Sequence, residues 1–193
     1  VFVAMSGAHF AGDWRRDIAL LPRVIIGLAL ITAPALLHRE PVIEIFAWLV
    51  PADVAVTTAE VMAAAAIPLL QAAALIVLVT AWSRPFAALE MAAVLLLAVF
   101  AAPLVFFVVY WCGLHSLRHV FAVQAELKPR SLPALARLSL PYAPLAIIGV
   151  VAGALLWPHL ALGQAVLAAL FVSLAALTVP HMMLVDQLAP RPR

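Results

Sequence analysis

The stretch Phe86-Ala-Ala-Leu-Glu90-Met-Ala-Ala-Val-Leu95-Leu-Leu-Ala-Val-Phe100-Ala-Ala-Pro103-Leu-Val-Phe106-Phe-Val-Val-Tyr110-Trp-Cys-Gly-Leu114 contains one acid and no base. Crossing a bilayer takes about 20 mostly apolar residues, and this run exceeds that length. It either tilts strongly or breaks at Pro103 into two helices. A break would carry the next residues into the middle of a separate helix over Leu104–Val123. Those next residues are His115-Ser-Leu-Arg-His119. Histidines four apart lie on one helical face, one turn above the other, which is how a single helix offers two imidazoles to one metal ion.

The rest of the chain has the same character. Of 193 residues, 67% are hydrophobic and 10% charged, with a mean hydropathy of +1.17. Soluble domains run nearer about 45–50% apolar and about 25% charged. The expectation is an all-α, polytopic transmembrane helix bundle. A net charge of +2, with no basic stripe, argues against nucleic acid as a partner. Cys112 is the sole cysteine, so no internal disulfide forms. The chain opens inside an apolar run with no charged region ahead, unlike a signal peptide. It reads as a fragment lacking N-terminal helices, a single integral membrane domain over 1–193.

Walking along it, Val1–Phe10 looks like the tail of a helix, and Ile18–Leu37 is a span with Arg23 able to snorkel. Val42–Val50 is too short to cross and fits an interfacial or re-entrant helix. Asp53 is placed to cap a helix running to about Trp82. Arg84-Pro85 is a tight turn. Phe121–Leu138 is amphipathic, and Ser139–Trp157 and Leu160–Val185 read as two further spans. The count is about five to six full spans plus a truncated N-terminal one. Seven Lys and Arg residues fall on one side (Arg39, Arg118, Lys128, Arg130, Arg137, Arg191, Arg193) and three on the other (Arg15, Arg16, Arg84). That asymmetry predicts a cell-membrane protein with a cytoplasmic C-terminus.

His115 and His119 read equally well as a metal pair or as interfacial residues at a helix end. His9 is followed by Asp13 on the same helical face. Asp13 could orient a metal-bound His9 through its other ring nitrogen, or it could be a solvated acid beside a helix-end histidine. His181, beside Pro180, reads as a hydrogen-bond donor lining a cavity or as a ligand. His38 and His159 read as surface residues. Glu90 is expected to be paired or protonated, and Arg118 to neutralise a carboxylate or face lipid headgroups. Clustered thiolates are absent and carboxylates scarce. An all-imidazole site suits Fe(II), Zn or Cu, and iron with open positions in an apolar cavity suits dioxygen chemistry on a hydrophobic substrate.

Two blocks carry a resemblance to a known family. Ser6-Gly-Ala-His9-Phe10-Ala-Gly-Asp13 resembles a Ser-x-Tyr-His-Phe-Gly-type motif, and Tyr110-Trp-Cys-Gly-Leu-His115-Ser-Leu-Arg-His119 resembles a His-Ser-x-Arg-His motif. Both belong to the Brp/Blh family of membrane-bound β-carotene 15,15'-dioxygenases. The Pro180-His181-Met-Met segment is similar to that family's last helix. The resemblance implies cleavage of β-carotene by O2 at its central double bond into two retinals. It also implies a mononuclear Fe(2+) held by four histidines, three of them falling on His9, His115 and His119. The fourth belongs to a Pro-His-Gly-like motif absent from this sequence. No side chain beyond the metal ligands is needed as a catalyst. Phe106, Phe107, Tyr110, Trp111 and His181 are candidates to line the polyene tunnel, although packing alone explains any one aromatic. Membrane lipid as surroundings and a functional link to a retinal-binding rhodopsin follow from the same resemblance.

Two other classes compete. A membrane lipid desaturase or hydroxylase needs more histidine boxes, including adjacent pairs, and no His-His occurs here. A non-enzymatic haem- or metal-binding membrane protein would place its histidines on two facing helices, which an i,i+4 pair does not do.

Overall fold

The structure, a computed structural model, describes the backbone over residues 2–14, 17–126, 131–141 and 143–188, with side chains at most of these positions up to residue 177. Helix makes up 85% of it, and no strand occurs among the described residues. Residues 1–120 and 121–193 each form a compact unit.

The first unit opens with α1 (Phe2–Phe10), a 3-10 turn (Ala11–Asp13), α2 (Leu20–Thr32), α3 (Pro34–Leu37) and α4 (Arg39–Ala47). It continues with α5 (Ala52–Ser83), α6 (Pro85–Phe100), α7 (Pro103–Val108), a π-helical turn (Val109–His115) and α8 (Ser116–Glu126), whose last residues belong to the second unit. Prolines write many of these boundaries. Pro34, Pro85 and Pro103 each sit in the first turn of a helix, where a missing N–H costs nothing and the fixed φ is already helical. Pro68 lies inside α5, which continues through it.

The long apolar run does break before Pro103. Helix α6 stops at Phe100, Ala101 turns extended at φ −80°, ψ 149°, and α7 starts afresh. A ring nitrogen of His38 lies 3.3 Å from the Phe100 carbonyl and satisfies one of the acceptors that end α6. His38 thus docks against the end of α6 from the surface.

Helix α1 lies on α2, α2 on α5, and α5 on α4 and α6. The first of these contacts is very close. A Cβ on Gly27 would collide with the Gly7 carbonyl oxygen, and one on Gly7 would strike Leu28. Small residues let helix backbones approach where lipid offers no hydrophobic drive for association. Ala29, Ala33, Ala55, Ala59 and Ala66 extend the pattern, all fully buried. Large apolar side chains such as Leu75, Leu78, Leu89 and Leu96 point outward instead, as suits a surface bathed in lipid. Trp82 and Phe86 stand almost fully exposed on either side of Arg84, and Arg84 pairs with Asp17 at 3.0 Å. Aromatic and basic residues in such groupings anchor helices at the headgroup level.

Among the described residues, three segments are long and apolar enough to cross a membrane: Leu20–Leu37, Ala52–Ser83 and Pro103–Phe121. Pro85–Phe100, Ala143–Ala154 and Leu162–Leu177 are shorter apolar helices. The expected helix cap also differs. Pro51 occupies the N-cap of α5, and Asp53 lies in the first turn with no capping hydrogen bond. Pro51 already imposes the extended entry, and Asp53 still faces the positive end of the helix dipole.

In the second unit, α9 (Leu132–Ser139) is capped by Ser131, whose hydroxyl oxygen accepts from the Ala134 N–H at 3.4 Å. Helix α10 (Ala143–Ala154) packs on α11 (Leu162–Leu188) around Ala154, Ala165 and Ala169. His159, in the turn between them, is exposed as expected. Arg15, Arg16, Lys128, Arg130, Arg191 and Arg193, which entered the charge count, lie outside the described residues, as does the His181 side chain.

Candidate metal centre

Three histidines converge where α1 meets the π-turn and α8. One ring nitrogen from each of His9, His115 and His119 lies within 4.8 Å of the others. The ring centroids of His115 and His119 are 4.6 Å apart, and that of His9 is 5.1 Å from His115 and 6.1 Å from His119. His115 is buried, whereas His9 and His119 are half-buried, so the cluster has one covered side and one more open. Its position follows from the break at Pro103, which starts a fresh helical run and places His115 near that run's middle.

Asp13 is the hub of the covered side. Its side chain is 1% exposed, and its two oxygens lie 2.8 and 2.9 Å from Nδ1 of His115. The Tyr110 hydroxyl donates to the same carboxylate at 2.6 Å. An acceptor at Nδ1 selects the tautomer protonated there and leaves Nε2 of His115 with a free lone pair. Metal-ligating histidines are oriented in this way by carboxylates. Sequence spacing pointed Asp13 at His9; the carboxylate is seen here on His115, with His119 Nε2 at 3.8 Å.

The π-turn makes this sharing possible. The Ser116 N–H bonds to the Trp111 carbonyl, five residues back. In a regular α-helix, residues five apart stand about 140° apart around the axis. Winding extra residues into one turn swings Tyr110 and His115 onto the same side. Single π-turns inside helices recur at functional sites.

Aromatic rings complete the wall. Phe10 meets His115 edge-on at 5.2 Å and Tyr110 at 5.0 Å. Phe106 stacks on Tyr110 at 5.6 Å, and both are buried in the core. Trp111 stacks on His115 at 6.0 Å and on Phe107 at 5.8 Å, at the half-buried edge. Arg118 donates to the Asp13 carbonyl and to Glu90, with its guanidinium 5.5 Å from the Trp14 ring. The pairing of Glu90 thus has a named partner. Nothing in the spacing of these residues signals the long-range links from Tyr110 and Arg118 to Asp13.

The fold and site define a helical bundle of membrane type that gathers three imidazoles, one of them buried and oriented by a carboxylate. The family model described as beta-carotene 15,15'-dioxygenase matches residues 1–189, and the chain belongs to that family. Searches of curated proteins and of solved structures returned no match.

Proposed function

We propose that this chain cleaves the central 15,15' double bond of β-carotene with O2, giving two molecules of retinal, and that His9, His115 and His119 hold the Fe(2+) this requires. The observation that carries the reading is the tri-histidine cluster with its buried carboxylate, found in a chain of this family. The donor set fits the metal, since neutral imidazoles suit Fe(II) and three of them leave positions open for O2 and a further ligand. Bound iron supplies the dioxygen activation that no side chain can.

The residues of the chain do the rest. Asp13 keeps the His115 proton on Nδ1 and the ring turned toward the cluster. Tyr110 fixes the carboxylate by donating to it. Phe10, Phe106 and Tyr110 exclude water behind His115. The half-buried edge at His119 and Trp111 is the side from which a polyene approaches. The product is the chromophore a retinal-binding rhodopsin takes up.

Expression of the gene extended upstream to its own start codon, in cells that accumulate β-carotene, with retinal quantified by chromatography beside a His115→Ala variant, tests this. Retinal is expected from the parent and none from the variant. Absence of retinal with well-expressed, iron-loaded parent would overturn the proposal.

A further inference from the structure

We infer that Arg118 is a positioning residue for the histidine cluster, one that locks the backbone of Asp13 and thereby the carboxylate that orients His115. This rests on the metal-site reading proposed above.

Three contacts converge on one guanidinium. Arg118 donates through one nitrogen to the Asp13 carbonyl oxygen and through the other to a Glu90 carboxylate oxygen. Its carbon lies 5.5 Å from the centroid of Trp14, itself buried. The chain needs such a hold at Asp13. The 3-10 turn ends there, and Trp14 departs into extended backbone at φ −93°, ψ 153°. Asp13 is the last residue of that turn, and its carbonyl oxygen accepts from Arg118 on α8. Glu90, on α6, anchors the far end of the guanidinium. One side chain therefore ties α6, α8 and the 3-10 turn together at the backbone of Asp13.

A charge partner for Glu90 could be any cation. Bridging two acceptors at once, with a ring under the plane, calls for the rigid planar fork of arginine and not the single ammonium of lysine. The two roles therefore separate in a conservative variant.

The 193-residue chain, purified in detergent and stripped by a chelator, is titrated with Co(II), and the visible ligand-field band is followed. The parent, Arg118→Lys and Glu90→Gln are compared. Arg118→Lys is expected to weaken Co(II) binding about tenfold, at the low end for residues that support metal ligands, and to change the band shape. Glu90→Gln keeps an acceptor oxygen for the fork and is expected to stay within about threefold of the parent. Binding by Arg118→Lys equal to the parent's, with an unchanged band, overturns the inference while leaving the metal site standing. If Arg118→Lys fails to fold by circular dichroism, Glu90→Ala carries the test: loss of the far anchor is expected to weaken binding, and no change overturns the inference. A folded parent that binds no Co(II) overturns the metal-site reading and this inference with it.

Discussion

Tyr110 and His115, five positions apart on one helical run, meet on the same carboxylate, the hydroxyl at 2.6 Å and Nδ1 at 2.8 Å from Asp13. Asp13 lies 97 residues from the first and 102 from the second. A regular α-helix would point the two side chains in different directions, so the π-turn is what joins them.

Tyr110→Phe removes one donor from a buried carboxylate and keeps the ring's packing on Phe10 and Phe106. The expected cost is about 1–3 kcal/mol in stability, as for a buried acceptor left unmet. Unfolding in mixed detergent measures it, and metal affinity should fall in parallel. Unchanged values of both would show that the hydroxyl does not support the site.

Asp13→Ala takes away the acceptor for His115 Nδ1, freeing the ring to rotate and to change tautomer. Loss of such a partner typically weakens metal binding about 10–100-fold. Iron content after gel filtration, with retinal yield beside it, reports the effect. Asp13→Asn keeps an acceptor oxygen and should fall between Ala and the parent. An Asp13→Ala protein that retains full iron would be incompatible with the orienting role.

Gly27→Ala pushes a methyl group into the Gly7 carbonyl, where backbone cannot yield as a side chain does. Overpacking of this kind costs about 1–3 kcal/mol. Helix α1 carries His9, so the displacement should also reduce metal affinity. Gly149→Ala, with nothing within 4 Å of the added atom, is the control and should behave as the parent. Equal stability of the two variants would contradict the close α1–α2 contact.

Metal removal should destabilise the fold. A ligand bound only by the folded state adds about 2.7 kcal/mol at a hundredfold excess over its Kd. Thermal unfolding with and without added Fe(II) under anaerobic conditions should show the shift in the parent. The shift should vanish in His119→Ala. A shift of equal size in that variant would place the metal elsewhere.

The sequence by itself determined the helical class, because a long, nearly uncharged apolar chain can satisfy its backbone in lipid only within helices or closed barrels, and this one lacks strand alternation. It also offered a break before Pro103 as one of two readings, since proline restricts the residue before it, and it fixed the shared face of His115 and His119, since four residues is close to one helical turn. Only the tertiary structure decided which carboxylate serves which histidine, that Tyr110 joins His115, that Gly7 and Gly27 let α1 reach α2, and that Arg118 links Asp13 to Glu90. Those pairings connect residues that local spacing cannot relate. They depend on how the helices pack, and on a π-turn whose extra residue shifts every facing direction after it. Helical periodicity could therefore place the histidines on a face, while the packing set what that face meets.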